Sequence, residues 1–198
     1  LLSPRKLSKD FQTNIALLDL EDRIPQASFA QKVLDFLQDK QIAFVQAQTG
    51  IGKTYGYLLP ALSLENEKGI LLSVPTKILQ NQIIQEEARR LEEVFHLSIH
   101  SLKGPQNYLK LDALHLALQE EETNRLYTRF KMQLLVWLTE TDTGDLDEIG
   151  QLYRYQQFLP NLVHDGKLSK DSLFWLEDFW KRSQKKARNC QLLVTNHA

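Results

Sequence analysis

Apolar positions along the chain recur with two periods, which predict an alternation of helices and strands. After residue 26, Phe29, Val33, Phe36 and Leu37 recur at helical spacing. The short β-prone runs at 42–45, 70–74 and 191–195 each predict a buried strand, and 97–102 predicts a further one. Residues 55–64 and 76–95 predict helices. Strands and helices that alternate at this spacing are typical of a parallel α/β sheet.

The segment between residues 105 and 180 differs from the rest of the chain. Leucines at helical spacing dominate it, and it holds seven lysines and arginines against 13 aspartates and glutamates, a net charge of −6. The remainder carries +5. We therefore predict a mainly helical insertion at 105–180 within an α/β domain formed by 1–104 and 181–198. Its core is expected to come from Leu111, Leu114, Leu118, Leu134, Leu135, Leu138, Phe174, Trp175, Phe179 and Trp180.

Composition excludes several classes of protein. Of 198 residues, 42% are apolar and 25% are charged, close to the globular average, so the chain is not a disordered protein. The single cysteine, Cys190, excludes an internal disulfide and a multi-cysteine metal site, and we expect it to be a small buried residue. No apolar run approaches the ~18 residues of a membrane span, which favours a cytoplasmic protein. From the start without Met and the end directly after a predicted strand we expect a piece of a longer chain, with a processed mature chain as the alternative.

The strongest chemical signal is the phosphate-loop pattern at residues 47–54, Ala-Gln-Thr-Gly-Ile-Gly-Lys-Thr. It matches the Walker A pattern except that Ala replaces the first Gly. Glycines at positions 50 and 52 let the backbone turn its N–H groups toward a polyphosphate. Lys53 can reach the β and γ phosphates, and the Thr54 hydroxyl can ligate Mg²⁺. The alternative is an ordinary strand–helix turn that ends in Lys-Thr.

Gln26 is a candidate for recognition of the nucleotide base. It lies just ahead of a helix, about twenty residues before the phosphate loop. An amide offers one acceptor and two donors, so it could pair with both N6 and N7 of adenine. The alternative is an exposed glutamine at the start of a helix.

Several segments together resemble the DinG/XPD group of superfamily 2 DNA helicases. Residues 23–26 resemble the Arg-x-x-Gln element before motif I, and residues 46–62 resemble motif I with its trailing helix. Residues 73–82 are similar to motif Ia, and 102–109 match the Lys-Gly-x-x-Asn-Tyr-Leu stretch that opens the iron–sulfur insertion. Residues 194–198 are similar to the Asn-His-Ala element that follows it. The resemblance implies a RecA-like P-loop lobe that uses ATP and Mg²⁺, single-stranded or forked DNA as partner, and a second motor lobe in the parent.

The resemblance implies the following residues for the nucleotide site: Arg23, Gln26, Ala47, Gln48, Thr49, Gly50, Ile51, Gly52, Lys53 and Thr54. Lys53 is expected to be catalytic, and Thr54 to hold Mg²⁺ through ATP.

The chain departs from the iron–sulfur members at the cysteine positions. Lys110 stands where a cysteine follows Asn-Tyr-Leu in those members, and Asp178 stands near the last cysteine position. A four-iron cluster needs about four thiolates, which one cysteine cannot supply. We therefore expect no iron–sulfur cluster, as in the cluster-free DinG-like branch of Gram-positive bacteria. Some members of that branch carry an exonuclease domain ahead of the helicase.

Four cations and one threonine are candidates for contact with nucleic acid or for plain structural roles. Thr76 and Lys77, between a predicted strand and a helix, could contact DNA phosphates, or Thr76 could simply cap the helix. Lys181, Arg182 and Lys185 belong to a basic run that could line a groove for single-stranded DNA or form a solvated helix face.

The sequence thus predicts the ATP-binding part of the first motor lobe of a DNA helicase. No apolar strand that follows the phosphate loop ends in an acid, so we expect the chain alone to bind ATP weakly without hydrolysing it. The alternative is an ATP-binding switch or motor subunit with a protein-binding helical insertion that does not act on DNA.

Overall fold

The computed structural model describes residues 6–64, 69–167 and 172–197. It divides into two compact units, unit 1 (Leu1–Ser101 with Asn189–Ala198) and unit 2 (Leu102–Arg188). Unit 1 contains the helices α1 (Phe11–Leu17), α2 (Ile24–Gln38), α3 (Lys53–Ser63), α4 (Lys77–Ile83) and α5 (Arg89–Phe95). The strands are β1 (Ile70–Val74), β2 (Ile99–Leu102) and β3 (Leu192–Asn196). Unit 2 contains α6 (Leu111–Gln119), α7 (Arg125–Leu138) and most of α8 (Phe179–Asn189).

Unit 1 is built on a three-stranded sheet in the order β1-β3-β2. β1 and β3 are parallel, from Ile70 opposite Leu192 to Val74 opposite Asn196. Helix α3 packs on the core of this unit through Leu58 and Leu59, which are almost fully buried. The parallel sheet with flanking helices confirms the predicted α/β fold, and the strands predicted at 70–74, 97–102 and 191–195 are present with bounds that differ by at most two residues.

The strand predicted at 42–45 is wrong. Residues 41–48 have no regular structure, and Ile42 and Phe44 are 96% and 101% exposed. A buried strand needs a neighbour that pairs its backbone groups and covers its side chains. No described strand pairs with this segment, so its β-prone composition alone does not make it a strand.

The long helix predicted at 76–95 is also interrupted. One turn of π-helix, Ile84–Ala88, separates α4 from α5. A π turn inserts one extra residue and shifts the positions that follow it around the helix axis. Apolar periodicity therefore located the helix but not the rotation of its second half.

Unit 2 is mainly helical, with short 3-10 turns at Pro105–Asn107, Leu146–Glu148, Leu152–Tyr155 and Leu159–Asn161. Its buried cluster includes Leu109, Leu114, Phe130, Leu134 and Leu162. Of the leucines predicted for this core, Leu118 and Leu135 are 40% and 43% exposed, which contradicts their assignment. Both lie on helix faces that no described element covers in this unit.

Candidate nucleotide-binding site

The phosphate loop turns through two glycines before it enters α3. Gly50 and Gly52 have φ angles of 86° and 81°, a region that L side chains rarely adopt. Gly52 is the N-cap of α3, so Lys53 and Thr54 form the first turn of that helix. The loop therefore leads its backbone onto a helix N-terminus, the arrangement that favours a bound anion.

Lys53 folds back over the loop. Its Nζ donates to Ala47 O at 3.1 Å and to Gln48 O at 3.0 Å. An ammonium group has three donors, so these two bonds hold the charge above the loop and leave one donor for an anion. The loop and the lysine thus make a cationic cradle of the kind that a polyphosphate requires.

Two side chains from the start of α2 brace the loop. Gln26 Nε2 donates to Gly52 O at 2.8 Å, and Arg23 Nη1 donates to Gly50 O at 3.5 Å. Gln26 is 5% exposed, so the interpretation as an exposed helix-start glutamine is wrong. A Cβ on Gly52 would lie 2.2 Å from Gln26 Nε2. Both the positive φ angle and the close approach of Gln26 therefore favour glycine at this position.

The hydrogen bond to Gly52 does not test whether Gln26 recognises adenine, so this role stays a prediction. One amide hydrogen is used on Gly52 O, and the sequence pattern gave no signal for that contact. Next to the loop lies a cleft of about 440 Å³, whose wall includes Pro25, Phe29, Phe44, Gln46 and Ile51. Its mixture of aromatic and polar walls could accept a planar base.

A cluster of three side chains at the start of α3 was not foreseen from the sequence. The Thr54 hydroxyl lies close enough to the Glu87 carboxylate and to the Tyr57 phenol to lower the pKa of each. Burial raises the pKa of Glu87, and the nearby Thr54 hydroxyl offsets part of that rise. Burial likewise raises the pKa of Tyr57. Glu87 lies 33 positions after Thr54 on the π turn, and no motif joins the two residues.

The chemistry of this cluster fits a magnesium–nucleotide complex. Glu87 Oε2 is buried and has no hydrogen-bond partner among the described residues. Mg²⁺ prefers oxygen ligands and keeps several waters, which need acceptors of this kind. Among the described residues, no group of three or more His, Cys, Asp or Glu side chains is placed to hold a metal ion.

Thr76 is the N-cap of α4, as the alternative to a DNA contact predicts. Its side chain accepts a hydrogen bond from Leu79 N at 3.2 Å. The next turn contains Gln80, which is fully buried and donates to Val194 O at 3.0 Å. Asn196 Nδ2 donates in turn to Gln80 Oε1 at 2.6 Å. This network ties the start of α4, with Lys77, to the end of β3, and the DNA role of Thr76 and Lys77 stays a prediction.

The basic run at 181–185 lies on α8 in unit 2. Lys181 Nζ donates to Trp175 O at 3.0 Å and stands 3.3 Å from the centre of the Trp175 ring. Arg182 lies over the Phe179 ring at 5.8 Å, whereas Lys185 is exposed. Lys181 therefore packs against residues of its own segment, whereas a solvated helix face would leave it in water. The contact of Lys181, Arg182 and Lys185 with DNA stays a prediction.

The two positions that carry cysteine in iron–sulfur relatives form polar pairs here. Lys110 Nζ lies 3.0 Å from Asp165 Oδ1, and His164 Nε2 lies 3.2 Å from Asp178 Oδ2. Burial acts to raise the pKa of Asp178, but the nearby His164 ring and the hydrogen bond from the Lys181 N–H outweigh it, so the pKa is lowered. Cys190 is partly rather than fully buried, and burial raises the pKa of its thiol.

None of the helices in the described part of the chain has the length and apolar character needed to cross a membrane.

Comparison with known proteins points to one family. The family model described as DEAD/DEAH box helicase matches residues 25–150. The chain is 33% identical over 189 residues to the 3'-5' exonuclease DinG of Staphylococcus saprophyticus and 33% identical over 194 residues to that of Bacillus subtilis. The 3'-5' exonuclease DinG of Staphylococcus aureus is 31% identical over 185 residues. These alignments cover 90% or 91% of this chain but 20% of each relative, so the chain spans about a fifth of their length.

Proposed function

Since the chain belongs to the DEAD/DEAH box helicase family, we propose that the full-length protein is an ATP-dependent DNA helicase of the DinG type. The chain would supply the ATP-binding part of the first motor lobe, with residues 1–104 and 181–198 as the lobe and 105–180 as a helical insertion. The observation that carries the proposal is the phosphate loop, with Lys53 held over it by two carbonyl groups.

The residues have distinct roles in this proposal. The N–H groups of the loop and Lys53 bind the β and γ phosphates, and Lys53 neutralises charge that develops during phosphoryl transfer. Arg23 and Gln26 hold the loop in shape, and Gln26 reads adenine with the amide groups that remain. Thr54 is the residue that would hold Mg²⁺. When bound, the ion would neutralise the phosphate oxygens.

The DNA partner is proposed from the family and from the placement of the cations. Thr76 and Lys77 would contact the phosphates of single-stranded or forked DNA, and Lys181, Arg182 and Lys185 would add a positive groove. A second motor lobe of the same parent would close on ATP. We further propose that the protein acts in the cytoplasm without an iron–sulfur cluster, so that anaerobically purified protein is colourless and contains no stoichiometric iron.

The relatives are named 3'-5' exonucleases. We propose that such an activity, where the full-length protein has it, is separate from the phosphate loop. It should then survive the Lys53→Ala substitution.

The test is ATP hydrolysis by the full-length protein with and without single-stranded DNA. DNA-stimulated turnover that Lys53→Ala abolishes supports the helicase, and Lys40→Ala, an exposed lysine of the same unit, serves as the matched control. Turnover that a protein partner stimulates and DNA does not would support the ATP-dependent switch instead. Normal turnover in Lys53→Ala would contradict the assignment of the site.

A further inference from the structure

Two leucines in the turn before α8 stand almost entirely in solvent. Leu173 and Leu176 are 79% and 80% exposed. The turn that carries them is ordered by backbone hydrogen bonds, among them the bond from Trp175 N to Ser172 O at 3.2 Å. The fold therefore presents two large apolar side chains to water, and each gives up the free energy that its burial would contribute.

The same turn packs against the rest of unit 2 through its aromatic side chains. The Phe174 ring meets His115 of α6 edge to face, with ring centres 5.6 Å apart. Trp175 is half-buried, and the Lys181 ammonium group lies 3.3 Å from the centre of its ring. Lys181 also donates to Trp175 O at 3.0 Å. The turn is thus fixed beside the start of α8, while its two leucines stay outside the packing.

Cations follow the turn along α8. Residues 173–188 contain five lysines and arginines against two carboxylates, whereas 105–180 as a whole carries −6. Of the two carboxylates, Asp178 is buried and Glu177 is exposed. The exposed cations include Arg182, Lys185 and Lys186. The exposed leucines therefore adjoin a local positive surface within an acidic insertion.

Apolar side chains next to cations match the two chemistries of single-stranded DNA. Its phosphates are anionic, and its unpaired bases expose apolar faces. A surface that binds it combines cations along the backbone with side chains that pack on the bases. Leucine is one of the apolar side chains that proteins insert between neighbouring bases. The turn and the start of α8 supply both parts side by side.

The exposed leucine of α6 shows what the turn has in addition. Leu116 is 60% exposed, but the chain soon continues with the acidic run Glu120-Glu121-Glu122. Three carboxylates would repel the phosphates of DNA. The segment at 173–188 therefore suits DNA by its charge as well as by its leucines, and Leu116 offers a matched control.

We infer that the turn at 173–177 is a contact surface for the bases of single-stranded DNA. Leu173 and Leu176 pack on the bases, while the cations of α8 bind the phosphates. The inference rests on the proposed function, because it requires that α8 contacts DNA, and it adds contacts to bases. Since every base has an apolar face, we expect little preference for particular DNA sequences.

The test is equilibrium binding of the full-length protein to a fluorescent single-stranded oligonucleotide over a series of salt concentrations. Leu173→Ser and Leu176→Ser should each weaken binding about 10-fold. The slope of affinity against salt should not change, because the phosphate contacts remain. Arg182→Ala should weaken binding and reduce that slope by about one. Leu116→Ser is the matched control and should bind as the wild type does.

An abasic oligonucleotide of the same length separates base contacts from other effects. It keeps the phosphates and lacks the bases, so the wild type should bind it more weakly than the normal strand. Leu173→Ser and Leu176→Ser should bind the abasic strand as well as the wild type does, because the contact they remove is already absent. Equal weakening on both strands would overturn the inference, since the leucines would then act independently of the bases.

Failure of this inference and failure of the proposed function give different results. A full-length protein that binds neither strand, and whose ATP hydrolysis DNA does not stimulate, refutes the proposed function. If binding and stimulation are normal and both leucine variants match the wild type, the base contact alone is wrong. A change of oligomeric state in the leucine variants, measured by sedimentation, would assign the turn to a second copy of the chain and would also overturn the inference.

Discussion

The two units bury different kinds of polar side chain. In the described part of unit 1, the buried polar residues are neutral, namely Asn14, Gln26, Ser63 and Gln80. Unit 2 buries charged or titratable groups, namely Lys103, Lys131, His164 and Asp178, together with Asn107 and Ser183. Neutral amides can shape a backbone without adding a field of their own, whereas buried charges must be paired to be tolerated. The difference shows that unit 1 buries amides and a hydroxyl, whereas unit 2 buries charged groups together with partners for them.

The hydrogen bonds in unit 1 show how the amides are used. Gln26 binds the backbone of the phosphate loop, and Gln80 binds the backbone at the end of β3. Each amide therefore fixes a segment that precedes or follows a candidate functional residue. In unit 2, Lys103 instead lies between two carboxylates, at 2.6 Å from Asp145 and 2.9 Å from Asp147. That triad joins segments more than forty residues apart in the sequence.

The aromatic core of unit 2 predicts the largest effect. Phe130 is fully buried and stacks on Tyr155, with ring centres 4.3 Å apart. Phe130→Ala should lower the free energy of unfolding by about 3–5 kcal/mol, because it leaves a cavity and removes the stack. Urea denaturation followed by tryptophan fluorescence measures this directly, since all three tryptophans lie within 105–180. Leu135→Ala, on the exposed face of the same helix, is the control, and an equal loss in both variants would contradict the assigned core.

The Lys103 triad predicts the next effect. Burial acts to lower the pKa of Lys103, but Asp145 and Asp147 outweigh it and raise the pKa, so the lysine stays charged. Burial raises the pKa of Asp145 in spite of the lysine. Lys103→Met should destabilise unit 2 by about 3 kcal/mol, because it removes a buried ammonium group that is paired with the partly exposed carboxylates of Asp145 and Asp147.

The partly exposed pair of Lys110 and Asp165 provides the comparison for Lys103. Lys110→Met should cost about 0–1 kcal/mol in the same denaturation experiment, because solvent screens this pair. Equal stabilities of the two methionine variants would show that the triad does not hold unit 2 together.

The brace on the phosphate loop predicts a loss of binding rather than of stability. Gly52→Ala must accommodate a φ of 81° and a Cβ only 2.2 Å from Gln26 Nε2. Strain of about 1–3 kcal/mol in the loop should weaken ATP binding about 10-fold to 100-fold, as measured by calorimetry on the full-length protein. Gly150→Ala is the matched control, since a Cβ there would meet no atom within 4 Å. Unchanged affinity in Gly52→Ala would mean that the brace does not shape the site.

The pair of His164 and Asp178 predicts the smallest effect, which is present at neutral pH and disappears in acid. Since the pKa of Asp178 is lowered in the folded state, its carboxylate stabilises unit 2 above the unfolded pKa of about 3.9. That contribution is lost as the pH falls through the lowered folded value. Asp178→Asn keeps an oxygen that accepts the hydrogen bond from the Lys181 N–H and should cost about 1–2 kcal/mol at pH 7. The gap from wild type should close below about pH 4, and a gap that stays constant with pH would contradict the charge-based role.

The sequence predicted those features that depend on neighbouring residues. The phosphate loop, its glycines and the start of α3 follow from eight consecutive positions, and the strands β1 and β3 follow from short apolar runs. The strand predicted at 42–45 does not form because a strand needs a pairing partner, and the composition of a segment does not show whether it has one. Leu118 and Leu135 failed because helical periodicity gives a face without saying whether anything covers it.

Contacts between distant residues were beyond the sequence. Glu87 lies on a π turn near Thr54, and apolar periodicity does not report such a turn. The approach of Lys103 to Asp145 depends on how the turns of unit 2 close. Gln26 was recognised as a candidate, but its bond to Gly52 O required the position of α2 relative to the loop.

Hydrogen exchange of the full-length protein, with and without MgATP, tests most directly the claim that the phosphate loop of unit 1 is the nucleotide site. At 100 times Kd, MgATP should slow exchange of the amides at 47–56 by up to about 100-fold. The core amides of α7 around Phe130 and Leu134 should be unchanged, and Lys53→Ala should abolish the protection. Protection confined to unit 2, or protection of the loop that persists in Lys53→Ala, would contradict the account.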